Sequence, residues 1–152
     1  MTPSQLRAKV VAERAAWVRQ MVAALRALPA ATYDEFASDP RNLAAAESYL
    51  RRALEALLDL CRHVLSKGFG EAPTEYKELA PALMRAGVIS AEQADLLRRL
   101  AGYRNRMVHF YQEVSQHELY EISKVHLADV DQLLEAVLQW IRTHPERIDQ
   151  RL

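Results

Sequence analysis

Eight consecutive residues, Arg104-Asn105-Arg106-Met107-Val108-His109-Phe110-Tyr111, bring a fixed cation, an amide, an imidazole and a phenol together. The imidazole is the side chain whose ordinary pKa lies nearest neutrality, so it can give or take a proton there. A guanidinium nearby can hold a phosphate or stabilise developing negative charge, and Asn105 can orient either group. Nowhere else in the chain do these residue types crowd so closely.

Helical geometry complicates the pairing. At roughly 100° per residue, Arg104 and Tyr111 share a face, whereas Arg104 and His109 stand roughly 140° apart and about 7.5 Å along the axis. Gly102, Asn105 and His109 share a face at spacings of three and four. Two arrangements can bring Arg104 to His109. The helix can loosen near Val108-His109, where β-branched and aromatic residues weaken helix propensity, or the partner group can come from a second chain. Gly102 favours the second arrangement. A glycine inside a helix costs about 1 kcal/mol against alanine, and close approach of another backbone is one reason to keep it. A two-fold dimer would then place two copies of Arg104 and His109 around one cleft.

The elements that must carry this octapeptide follow from apolar spacing and capping signals. Thr2-Pro3-Ser4-Gln5 predicts the start of a first helix with Leu6, Val10, Trp17, Met21, Leu25 and Leu28 as its inward stripe, ended by Pro29. Thr32 to Phe36 predicts a short helical turn. Asp39-Pro40 predicts a helix running to about Ser66. Its stripe, Leu43, Ala46, Leu50, Ala53, Leu57, Leu60 and Val64, is widened by Leu54, Leu58, Cys61 and Leu65, so more than one partner packs on it. Gly68 and Gly70 close it. A short helix from Thr74 to about Ala86 stops at Gly87. Ser90-Ala91-Glu92-Gln93 is a capping box opening the helix that carries Leu96, Leu97, Leu100, Tyr103 and Met107 inward and runs into the octapeptide. Ser115 to Glu118 opens a last long helix with Leu119, Ile122, His126, Val130, Leu133, Val137 and Ile141 on one face, ended by Thr143-His144-Pro145. No strand pattern or repeat appears. The expectation is all-α: one domain over residues 1–152, an antiparallel bundle of four main helices plus a short one.

Composition bounds the function. The chain has 152 residues, half of them hydrophobic, with formal net charge zero. That excludes coating nucleic acid by bulk charge but not a small local site. The single cysteine, Cys61, cannot form an internal disulfide, which fits a reducing cytoplasm. No apolar run reaches the roughly 18 residues that suggest a membrane span. His126 reads as a core residue with one hydrogen bond, His117 lies in a helix first turn, and His63 and His144 lack partners at ligand spacing. With no H-x-x-x-H pair and no mate for Cys61, neither a metal site nor a cofactor is expected. No phosphate-binding glycine loop or nucleophile elbow occurs.

The octapeptide fits the pattern R-x-x-x-x-H-x-Y and, with the approach Leu100-Ala101-Gly102-Tyr103, Asp39, the Glu55 to Leu65 helix and the Leu79 to Ile89 segment, resembles the HepT-like toxins of the HEPN superfamily. The resemblance covers roughly residues 5 to 142. Phe110 departs from it, standing where an acidic residue is common. The resemblance implies a metal-independent endoribonuclease acting as a homodimer on RNA, with Arg104, His109 and Asn105 catalytic. It also implies a small nucleotidyltransferase antitoxin as partner, which transfers AMP to the motif tyrosine, here Tyr111. RNA supplies its own nucleophile, the 2′-hydroxyl, so a base, an acid and a cation suffice. Which histidine of a dimer is acid and which is base stays open. The alternative is a non-catalytic helical subunit that binds substrate for a nucleotidyltransferase. The intact arginine–histidine pair favours the enzyme.

Overall fold

The computed structural model describes residues 4–109 and 114–149. Its elements are β1 (Leu6–Arg7), α1 (Ala8–Arg26), α2 (Tyr33–Ala37), α3 (Pro40–His63), α4 (Leu79–Arg85), α5 (Ala91–His109), α6 (Gln116–Val125), α7 (Leu127–Arg142) and β2 (Ile148–Asp149). The architecture is an all-α bundle built around α3. Leu50, Leu54, Leu57, Leu58, Leu60 and Cys61 are all fully buried, because α3 packs against α1, α2, α4, α5, α6 and α7. Each buried leucine contributes about 1.5–3 kcal/mol relative to an exposed one, so this double-width stripe anchors the fold. The widened pattern along α3 therefore has the multiple partners that its width predicts.

Capping chemistry sets most boundaries. Asp39 accepts from the Arg41 amide at 2.9 Å and Pro40 occupies the first turn of α3. Ser90 and Gln93 form a reciprocal box: the Gln93 amide donates to Ser90 Oγ at 3.1 Å and the Ser90 amide to Gln93 Oε1 at 2.9 Å. Ser115 caps α6 through the Glu118 amide at 3.1 Å, and Thr32 caps α2 through the Glu35 amide. Gly87, at φ +79°, ends the α4 segment in the left-handed region that glycine tolerates.

Four expectations are corrected. The first helix begins at Ala8, not near Pro3. Leu6, assigned to its stripe, lies instead in a two-residue strand pairing in parallel with Ile148–Asp149. The Ser4 amide donates to the Lys67 carbonyl, and Gln5 Nε2 donates to the Glu146 carbonyl at 3.2 Å. Tertiary pairing with the C-terminal segment overrides the local start signal; Thr2 and Pro3 lie outside the described residues. The buried stripe of α1 is Val11, Ala15, Val18, Met21, Val22 and Leu25, whereas Trp17 is 40% exposed. Small and β-branched residues line the extensive α1–α3 contact, and the large indole stays at its rim. The predicted Thr74 to Ala86 helix is a 3-10 turn at Tyr76–Glu78 followed by α4. The last helix is two: His126, at φ −100° and ψ 2°, separates α6 from α7. Its Nδ1 lies 3.1 Å from Asp129 Oδ2, so the imidazole marks the junction rather than filling the core.

Candidate active site

Helix α5 carries the motif. Its inner residues Ala94, Leu97, Leu100, Ala101 and Met107 are buried, which fixes the rotation of the helix and turns Arg104 toward α3. The helix remains α-helical through His109. It does not loosen before that residue, so the first of the two arrangements is absent and Arg104 and His109 stay on different sectors of one regular helix. Both nevertheless line the same cleft of about 530 Å³, together with Asn105, Tyr76, Arg62 and Lys77. The cleft lies between the last turns of α5, the C-terminal half of α3 and the 3-10 turn that precedes α4.

Arg104 is held on three sides. Its Nε donates to Glu55 Oε1 of α3 at 3.3 Å, and its Nη1 donates to Asn105 Oδ1 at 3.2 Å. Its Cζ lies 4.6 Å from the centre of the Tyr76 ring, within cation–π range. A second guanidinium, that of Arg62, lies over the same ring at 4.7 Å. The Tyr76 hydroxyl donates to Asp59 Oδ1 at 3.0 Å. Burial, followed by the Asp59 carboxylate, pushes the Tyr76 phenol above its ordinary pKa, and the charges of Arg104 and Arg62 oppose that shift. The ring is thus a neutral donor at physiological pH. Asn105 is half-buried beside Arg104, whose guanidinium donates to its Oδ1, and His109 is exposed.

Glu55, Asp59, Arg62, Tyr76 and Lys77 were not singled out from the sequence. The α3 residues left a signal: Glu55, Asp59 and Arg62 recur at spacings of four and three, a polar stripe through an otherwise apolar helix. Tyr76 sits in a loop-like stretch whose spacing gives no cue. Gly102 is exposed, and a Cβ placed on it meets nothing within 4 Å in its own chain. Tyr111 lies outside the described residues.

The remaining histidines and the cysteine serve the scaffold. His63 Nε2 accepts from the Arg7 amide at 3.1 Å. His144 stacks on Trp140 with ring centres 4.3 Å apart. His117 packs beside Tyr33. Cys61 is buried, and desolvation pushes its thiol up to about 12. Among the described residues no cluster of three or more His, Cys, Asp or Glu is placed to hold a metal ion, and no helix is long and apolar enough to cross a membrane.

A family model described as ribonuclease HepT-like matches residues 18–137. An mRNA nuclease HepT from Shewanella oneidensis is 26% identical over 88 residues, covering 58% of this chain and 66% of that protein. A solved tri-AMPylated HEPN toxin from Shewanella oneidensis, in complex with its MNT antitoxin, superposes with a TM-score of 0.77 at 20% identity, covering 86% of this chain and 97% of that one. A toxin–antitoxin structure with AMP-PNP gives 0.76 at 20% identity, over 84% and 97% of the two chains. A Bacillus subtilis cytosolic protein of unknown function, YutE, gives 0.73 at 18% identity, over 88% and 90%.

Proposed function

The chain belongs to the ribonuclease HepT-like family, and from that premise we propose that it is a metal-independent endoribonuclease toxin whose cleft holds Arg104, Asn105 and His109. The observation that carries this reading is the convergence of those three side chains on one cleft although helical geometry sets Arg104 and His109 on different sectors. Cleavage begins when a base takes the proton of an RNA 2′-hydroxyl. The 2′-oxygen bonds to phosphorus, the bond to the 5′-oxygen breaks, and an acid delivers a proton to that leaving oxygen. The product is a 2′,3′-cyclic phosphate. His109 supplies the imidazole for one of the proton transfers. Arg104 faces the negative phosphorane, with its guanidinium plane fixed by Glu55, Asn105 and Tyr76 before substrate arrives. Because RNA provides the nucleophile, the reaction has no need of a metal-bound water.

A homodimer supplies the second imidazole. Gly102 offers the approach, since its outward face is open in the single chain. The neutralising partner is a small nucleotidyltransferase, by analogy with the antitoxin bound to the Shewanella toxin. In that reaction the Tyr111 oxygen attacks the α-phosphate of ATP, pyrophosphate leaves, and the phenolic proton is lost to solvent. The added AMP carries one negative charge that would compete with an RNA phosphate for Arg104. The test of cleavage is incubation of the purified chain with RNA in EDTA. Cyclic-phosphate ends are expected from the native chain and not from Arg104→Ala or His109→Ala. Intact activity in both variants places the site elsewhere. The test of regulation is mass spectrometry after co-expression with the nucleotidyltransferase. One or more added AMP groups should map to Tyr111 and vanish in Tyr111→Phe; equal neutralisation of Tyr111→Phe means control by binding alone.

A further inference from the structure

We infer that Tyr76 and Arg62 complete this cleft as a phosphate receptor: Tyr76 is a positioning residue that holds two guanidiniums over one ring, and Arg62 is a second cation for the nucleic-acid backbone. The inference deepens the endoribonuclease reading, but its binding half rests on the cleft geometry alone.

Two like charges so close to one ring repel each other, and the surroundings offset that repulsion. Glu55 pairs with Arg104, while Asp59 lies 3.6 Å from Arg62 Nη1 and accepts from the Tyr76 hydroxyl. Hydrogen bonding holds Arg62 weakly: Nη2 reaches the Thr74 carbonyl at 3.4 Å, and the buried Nε has no hydrogen-bond partner among the described residues. The ring and the Asp59 carboxylate together place this guanidinium. Arg62 and Arg104 both line the cleft; Lys77 lines it too, paired at 3.1 Å with Glu75 of the same lining. A purely structural cluster has no reason to aim two partly exposed guanidiniums at one open cavity. A polyanion entering it meets the two guanidiniums that share the Tyr76 ring.

The discriminating probe is a 2′-O-methyl RNA oligonucleotide, which lacks the attacking hydroxyl and so reports binding without cleavage. Fluorescence anisotropy over a salt series is expected to show weaker binding for Arg62→Gln, with the slope of log K against log salt reduced by about 0.7, the value for one lost contact to a single strand. Tyr76→Leu, which removes the ring, should weaken binding at least as much and also lower the turnover number on unmodified RNA. Tyr76→Phe keeps the ring, loses only the Asp59 bond, and should restore most of both. A role confined to stability would lower the melting temperature and leave the salt slope in place. An unchanged slope in Arg62→Gln, or native binding by Tyr76→Leu, overturns the inference. If Tyr76→Leu does not fold, Arg62→Gln decides. A native chain that binds the probe without cutting RNA removes the endoribonuclease reading and leaves the receptor standing; one that does not bind the probe removes the receptor.

Discussion

The two flanks of α5 near its C-terminal end carry the same residue type in different settings. On one flank Arg106 makes a two-pronged pair with Glu118 of α6, at 2.5 and 2.8 Å. On the other flank, two residues earlier, Arg104 meets Glu55 through Nε alone at 3.3 Å and otherwise rests on Asn105 and the Tyr76 ring. A carboxylate that matches the guanidinium fork ties two helices together. A guanidinium held by its plane and one edge is placed but still able to meet another anion. Residue type and helix are common to both arginines; the partner geometry separates the scaffold cation from the cleft cation.

The sharpest way to break this contrast is to remove the cleft groups. His109→Ala should lower RNA cleavage by a factor on the order of 10² or more, the usual worth of a general acid or base. Arg104→Ala should do comparable damage through lost charge stabilisation. Urea unfolding of His109→Ala should match the native chain, because its imidazole is exposed at the helix end. Next in size is the effect on the proposed dimer. Gly102→Leu should weaken self-association by about tenfold or more, since overpacking a close contact costs about 1–3 kcal/mol. The same substitution meets no obstacle within its own chain, so the protomer should unfold at or above the native urea midpoint. Sedimentation analysis and urea titration together check both halves. Unaltered association in Gly102→Leu removes the glycine from the interface.

A smaller effect is expected on the other flank. Arg106→Ala should lower unfolding free energy by on the order of 0.5–1 kcal/mol, the worth of an ion pair that remains about one-third exposed. Its cleavage rate should stay close to native. Loss of activity as deep as that of Arg104→Ala would erase the distinction between the flanks.

These contrasts also mark what the sequence makes legible. The apolar double stripe of α3 and the Ser90–Gln93 box are local patterns with one physical interpretation each, and both stand in the structure. Arg104, Asn105 and His109 stand close in sequence, which marks them as candidates, but spacing sets Arg104 and His109 on different sectors of the helix; that they line one cleft is visible only in the fold. Leu6 falls outside the α1 stripe because it pairs with the distant β2, and Trp17 because the buried face of α1 runs instead through Val11, Ala15, Val18 and Val22. Tyr76 was invisible for a related reason. Its importance comes from the folding of residues 74–78 across α3 and α5, a long-range event with no periodic trace. The break at His126 has a polar residue as its only cue within a continuous apolar stripe.

The smallest expected effect separates the two histidines with the clearest placements, His63 on the scaffold and His109 at the cleft. His63 accepts a hydrogen bond from the Arg7 amide through Nε2, so the folded chain requires that nitrogen unprotonated. Burial lowers its pKa first, and the positive charges of Lys67, Arg7 and Arg14 lower it further. In the unfolded chain the imidazole returns to its ordinary value of 6.5. The stabilisation is therefore complete above that value. It is lost progressively as pH falls from there through the lowered folded value, because the unfolded chain binds the proton more readily. His63→Gln keeps an oxygen to accept from Arg7 and carries no titrating group. Its urea midpoint should change less than the native one between about pH 7 and about pH 5, while its RNA cleavage keeps the native pH profile. If the cleavage profile shifts with His63→Gln, the Arg7–His63 contact and the cleft are coupled, and the division between scaffold and site must be redrawn through α3.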